Sequence, residues 1–247
     1  MRMLSEWRLT PQRPFLNTLR LSNLRLNNVL TTLRATLSSA ALAALLTLSS
    51  QAASAASTTT DGPWLVLGDS ISAGYGIDSS QGWVALLDKR LDETLGRDAP
   101  DVINASISGD TTEGGRNRLA ALLDKHHPSL VMIELGGNDG LRGLPPQRMQ
   151  ANLASMLETV QATGAQPVLL GIEIPPNYGP AYTKAFRQVY RTLETQYSVP
   201  LVPFILDGIA TAPASQELMQ QDRIHPTAKA QPQLLDIIWP TLAPLAE

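Results

Sequence analysis

Two layers of helix around a parallel β-sheet is the architecture the 247-residue sequence predicts, and three observations predict it. Short apolar runs such as Trp64-Leu65-Val66-Leu67 and Leu130 to Leu135, the latter broken only by Glu134, read as strands buried on both faces. Each run stops at a Gly-, Asp- or Asn-containing turn, and between the runs lie stretches of 3.6-residue apolar periodicity. Strand and helix patterns alternate five times, which calls for right-handed βαβ crossovers. Five such units suit a three-layer α/β/α sandwich of flavodoxin-like strand order 2-1-3-4-5.

The elements follow in order. Trp64 to Leu67 is the first strand, ended by Gly68-Asp69-Ser70. Gln81 to Leu95 puts Trp83, Leu86, Leu87 and Leu91 on one helical face. Asp101 to Ala105 is a strand, and Asp110 with Glu113 resembles a capping box for a helix that turns Leu119, Leu122 and Leu123 inward. Leu130 to Leu135 is the third strand, with Gly136 to Gly140 as the turn after it; Pro145-Pro146 then opens a long helix. Gln166 to Ile174 is a strand, Pro175 to Pro180 a loop, and Ala181 to Tyr197 a helix facing inward through Tyr182, Phe186, Val189 and Leu193. Pro200 to Phe204 is the last strand. Pro226 starts a terminal helix bearing Leu234, Leu235, Ile237 and Ile238, with a bend expected at Pro232.

Residues 1–55 are of a different character. They hold six arginines, no lysine and one acid, then an uncharged Ala/Leu-rich run from Ser38 to Leu48 and an Ala53-Ser54-Ala55 site. A basic region, a short apolar core and A-x-A spell a signal peptide cut near Ala55/Ala56, too short to remain as a stable membrane span. Its basic part is unusually long, as initiation nearer Val29 or Leu30 would explain. Residues 56–62 read as a linker and 63–247 as one domain, periplasmic or secreted and expected to be monomeric. The whole chain carries −3 and the leader +5, so the domain carries −8, a poor match for nucleic acid. Cysteine is absent, which removes disulfides, thiolate metal sites and cysteine nucleophiles. Neither His-Glu-x-x-His nor another ligand cluster occurs, so no metal or cofactor is expected.

Ligands of open α/β sheets bind beyond the carboxyl ends of the strands, and there the chemistry-bearing residues collect. Ser70 ends the first strand. A serine nucleophile needs a base, and of three histidines His126 and His127 end a helix at the opposite edge. His225 lies in Asp222-Arg223-Ile224-His225-Pro226, where Asp222 can hold its Nδ1–H and leave Nε2 for the serine. Backbone N–H groups of Ser70 and Gly109 and the Asn138 amide suit an oxyanion hole. Each block alone also reads as ordinary turn chemistry.

Taken together, Gly68-Asp69-Ser70, Gly109 within Asn104 to Thr111, Gly136-Gly137-Asn138-Asp139 and Asp222-x-x-His225-Pro226 resemble the four blocks of the SGNH (GDSL) hydrolases. The likeness is closest to the bacterial periplasmic thioesterase I / protease I / lysophospholipase L1 and arylesterase branch. It implies Ser70 as nucleophile, His225 as base, Asp222 as its orienter, and Gly109 and Asn138 in the oxyanion hole. Arg223 departs from it, standing where close relatives often carry Gly, so a left-handed backbone there would be strained. Gly68-x-Ser70-x-Ser72 is not the nucleophile elbow of α/β-hydrolases.

The expected activity is hydrolysis of carboxylic esters and thioesters, lysophospholipids included, with Leu141, Leu144, Ile172 and Ile174 lining an acyl groove. A carbohydrate O-deacetylase and a non-catalytic solute-binding module are the alternative readings.

Overall fold

The computed structural model describes residues 62–211 and 215–246. The leader and all but the last residue of the linker lie outside the described residues.

Five parallel strands form one sheet of order β2-β1-β3-β4-β5. They are β1 (Trp64–Gly68), β2 (Val102–Asn104), β3 (Leu130–Glu134), β4 (Gln166–Leu170) and β5 (Leu201–Val202). Every residue of β1 and β3 is buried, the mark of strands covered on both faces. Alternation of side chains then sorts β1 between two cores. Trp64 and Val66 pack with Trp83, Leu87 and Leu91 of α1 (Trp83–Leu95) and with the helix α7 (Gln231–Leu242). Leu65 and Leu67 face the other layer, made by α2 (Thr112–His126), α4 (Pro146–Ala162) and α5 (Pro180–Tyr197). A buried hydrogen bond from Trp83 N–H to Gln231 Oε1, 2.9 Å, links the starts of α1 and α7.

Several boundaries differ from the sequence reading, each for a local reason. Thr111, rather than Asp110, caps α2: its hydroxyl accepts from Gly114 N–H, while Asp110 is taken by Arg118 at 2.8 Å. Gly136 to Gly140 is not a plain turn. Gly136, at φ +126°, breaks the strand direction and a one-turn helix α3 (Gly137–Leu141) follows. β4 stops at Leu170, four residues short of the expectation, and residues 171–175 continue outside the sheet. Pro232 does not bend α7. It sits in the first turn, where a missing N–H costs nothing, and Pro226 stays in the preceding loop. A short helix α6 (Ser215–Leu218) precedes that loop. No helix among the described residues is long and apolar enough to cross a membrane.

Register carries the sheet's most consequential detail. Gly68 stands opposite Glu134, so the carboxyl ends of the two central strands finish level. At the neighbouring strand end the space is equally tight. Gly171 N–H donates to Val202 O at 2.7 Å, and a Cβ on Gly171 would lie 2.3 Å from Pro203 O. Since the obstacle is backbone, Gly171→Ala is expected to cost about 1–3 kcal/mol of stability. Chemical denaturation measures it; a variant as stable as the parent would mean the 202–205 segment moves aside freely.

Candidate active site

Beyond Gly68 the chain coils at once: Ala73 N–H bonds Asp69 O at 2.9 Å and Tyr75 N–H bonds Ser70 O at 3.0 Å. This single helical turn sets Ser70 at its start. Asp69 Oδ1 accepts from Ile71 N–H at 3.1 Å, while Ser70 N–H has no partner among the described residues.

The loop between α6 and α7 carries the base back to that point. Asp222 folds over its own next residues, Oδ1 accepting from Ile224 N–H (2.9 Å) and His225 N–H (3.1 Å). Its Oδ2 lies 2.7 Å from His225 Nδ1. With a carboxylate there, Nδ1 carries the proton and donates, leaving Nε2 as an acceptor 2.8 Å from Ser70 Oγ. The three-residue spacing of Asp222 and His225 thus closes a local turn and aims the ring together. Arg223 holds φ +58° in this turn, the left-handed conformation expected to strain it. His225 is not at the start of α7, as the sequence suggested, but ahead of it, pinned by Gln220 N–H to its carbonyl (2.8 Å) and by the bridge of Met219 with Pro226.

Burial raises the Asp222 carboxyl, but its hydrogen bonds from His225 and the two backbone N–H groups outweigh that and hold it at about 2. Its ionised form therefore stabilises the folded chain above the usual carboxylate range, and the contribution is lost as pH falls through about 2. The side chain is 37% exposed, so solvent screening limits the effect to under about 1 kcal/mol. The stability gap between the parent and Asp222→Asn is expected to be largest at pH 7, to narrow below about pH 4 and to vanish near pH 2. Denaturant titrations at these pH values check it, and a pH-independent gap would contradict it.

Ser70, Asn138 and His225 line one cleft of about 480 Å³. Its apolar wall includes Leu141, Ile172 and Ile174, as expected, and also Phe204, read as the end of the last strand, with Leu206 and Met219 from the stretch beyond it that sequence periodicity leaves unread. Leu144 is not part of this wall. The chain turns it away after α3, and its carbonyl accepts from Tyr182 O–H at 2.6 Å. Gly109 is also outside the cleft wall. It lies exposed on the adjacent loop, at φ +81°, in a segment tied to β1 by Ile107 N–H to Gly68 O (3.0 Å). A broader hollow of about 620 Å³ at the opposite edge is lined by Leu123, Asp124 and His127 and holds no serine beside a base. His127 ends α2 there, as its position in the sequence suggests.

Three partners were not visible in the sequence. Tyr75 lays its ring 4.5 Å from that of His225, at 39°. Asp69 and Glu134, both essentially inaccessible, meet beneath Ser70 where β1 and β3 end level. Period-2 reading places Glu134 only at a strand end; nothing local marks it as buried.

The sequence profile of the GDSL-like Lipase/Acylhydrolase family matches residues 66–231, which spans every residue of this site. The chain belongs to that family. Esterase TesA of Pseudomonas aeruginosa PAO1 is 57% identical over 181 residues, covering 73% of this chain and 88% of the relative. Thioesterase 1/protease 1/lysophospholipase L1 of Escherichia coli K12 is 44% identical over 181 residues, covering 73% and 83%. The crystal structure of the psychrotrophic esterase EstA from Pseudoalteromonas, inhibited by monoethylphosphonate, superposes with a TM-score of 0.70 at 41% identity, covering 75% of this chain and 98% of that one. As a GDSL-type acylhydrolase, the chain is an SGNH-type hydrolase of the esterase and thioesterase kind, and the non-catalytic binding-module reading is set aside.

Proposed function

We propose that this protein is an exported serine esterase of broad acyl specificity, acting on acyl and aryl esters and lysophospholipids through an acyl-enzyme on Ser70. The observation that carries the reading is the continuous line Asp222 Oδ2–His225 Nδ1 (2.7 Å) and His225 Nε2–Ser70 Oγ (2.8 Å) at the mouth of an apolar cleft.

Ser70 Oγ attacks the acyl carbonyl as His225 Nε2 takes its proton, and Asp222 stabilises the resulting imidazolium. The tetrahedral oxyanion is met by Ser70 N–H, Gly109 N–H and Asn138 Nδ2. The imidazolium proton passes to the departing alcohol or thiol, which leaves the acyl group on Ser70. Water then enters, gives a proton to His225 and releases the acid by the reverse sequence. The acyl chain lies against Leu141, Ile172 and Ile174, where each buried methylene is worth about 0.8 kcal/mol.

Export rests on the basic, apolar and A-x-A sequence of residues 1–55. An exported enzyme of charge −8 rarely meets acyl-CoA and repels its polyanionic head, so uncharged esters and lysophospholipids are its better substrates.

Ser70→Ala tests the reading. The variant is expected to fold as the parent does and to lose on the order of 10⁴-fold or more in kcat on a soluble aryl ester. A purified variant keeping a tenth of the activity would overturn the serine mechanism.

A further inference from the structure

Beneath the nucleophile lies a pair of carboxyls that the acyl-transfer scheme leaves unused. Asp69 is 2% exposed and Glu134 is fully buried. Their meeting follows from register, since Gly68 and Glu134 are paired across adjacent parallel strands. Asp69 is used fully as an acceptor. Oδ1 takes Ile71 N–H at 3.1 Å, and Oδ2 takes Asn138 Nδ2–H at 3.0 Å. Glu134 Oε2 accepts from Asp69 N–H (3.2 Å) and Ser72 O–H (2.8 Å), while its Oε1 is buried with no partner among the described residues. An ionised carboxylate left so would be very costly; a neutral acid is tolerated.

We propose that Asp69 is a positioning residue for the oxyanion-binding amide of Asn138 and for the Ser70 turn, and that Glu134 is the neutral acid that supports it. One Asn138 Nδ2 hydrogen is committed to Asp69, which fixes the amide plane and leaves the second hydrogen for the developing oxyanion. The other Asp69 oxygen holds Ile71 N–H, stiffening the turn that presents Ser70. Preorganised donors stabilise charge because they need no reorientation during the reaction, and an amide free to rotate loses that advantage. The inference rests on the proposed esterase reading and deepens it.

Stability does not explain a carboxyl at position 69. Burial raises it from 3.8 to about 6, against the opposing effect of the Ile71 and Asn138 hydrogen bonds and of His225. A group raised in this way favours the fold in its neutral form, and that benefit is lost as pH rises through about 6. At neutral pH the ionised Asp69 costs the fold stability, as groups kept for function do. Burial and the neighbouring Asp69 push Glu134 well above the usual range, so it stays protonated. The other titratable groups around the pair are His225, Asp139 and Tyr190. Asp139 is held by Thr112 N–H and O–H at 2.8 and 2.6 Å, and burial pushes the Tyr190 hydroxyl up, so it remains a neutral donor to Leu135 O.

The test compares Asp69→Asn, Glu134→Leu and Glu134→Gln with the parent on a soluble short-chain aryl ester. An asparagine at 69 offers one oxygen to two donors, so Asp69→Asn is expected to lower kcat about 10- to 100-fold with KM changed less than about two-fold, short of the loss from removing an oxyanion donor outright. Glu134→Leu is expected to fall similarly, and Glu134→Gln, which keeps a donor and an acceptor, to recover most of that loss. The acid limb of kcat/KM supplies the readout that a packing role would not move. Protonating Asp69 adds to the parent's acid limb, as pH falls through about 6, a bounded drop of about 10- to 100-fold that Asp69→Asn lacks. Circular dichroism and thermal melts establish that each variant compared is folded. Parental kcat in Asp69→Asn, or an acid limb of the same shape in parent and variant, overturns the inference while leaving the serine mechanism intact. A parent that hydrolyses no ester overturns the esterase reading itself.

Discussion

The hydrogen bond from Ser70 Oγ to His225 Nε2 joins residues 155 positions apart, and the fold is arranged so that it can form. Its two ends have separate supports. Ser70 stands on the turn after the central strand β1, which is hydrogen-bonded on both sides by β2 and β3 and packed into both cores. His225 stands on a loop whose anchor is local: Asp222 captures the ring and two backbone N–H groups, and Gln220 and Met219 tie the loop down. A rigidly held serine and a self-organised histidine meet where a parallel sheet leaves its crevice. The buried Trp83–Gln231 hydrogen bond joins the start of α1 to the start of α7, the helix that follows this loop.

Two aspartates of the same site are driven in opposite directions by their surroundings. Asp222 is partly open to solvent and accepts three hydrogen bonds, which favour its charged form and hold it at about 2. Asp69 is sealed under the turn, where desolvation prevails and lifts it to about 6 despite its own hydrogen bonds. Burial rather than hydrogen-bond count separates them. The exposed aspartate holds the His225 ring, and the buried one accepts from the Asn138 amide.

Much of this was legible in the sequence because it is written locally. Apolar runs of strand length place five strands, and the Gly68 and Gly136 turns that end two of them put Ser70 and Asn138 at one edge. The Asp-x-x-His spacing is itself a turn, so the pairing of Asp222 with His225 could be read directly. What escaped depends on contacts between distant segments. Glu134 is marked only by register with β1, and Leu206 and Met219 sit in a stretch without periodicity. Leu144 looks like its neighbour Leu141 in sequence, yet the one-turn helix α3 sends the two in different directions. Thr111 took the cap because Arg118 competes for Asp110, a pairing across two helical turns that a capping pattern does not weigh.

The central claim is that hydrolysis proceeds through a covalent intermediate on Ser70. Rapid-quench mixing of the domain with a p-nitrophenyl ester, followed by intact-mass and peptide mass spectrometry, observes that intermediate directly. The account predicts a pre-steady-state burst of p-nitrophenol approaching one equivalent per active site, when deacylation is the slower step, and an acyl mass increment on the Ser70 peptide. Turnover of the ester with no acyl increment on that peptide at any quench time, or an increment on another residue, would contradict it.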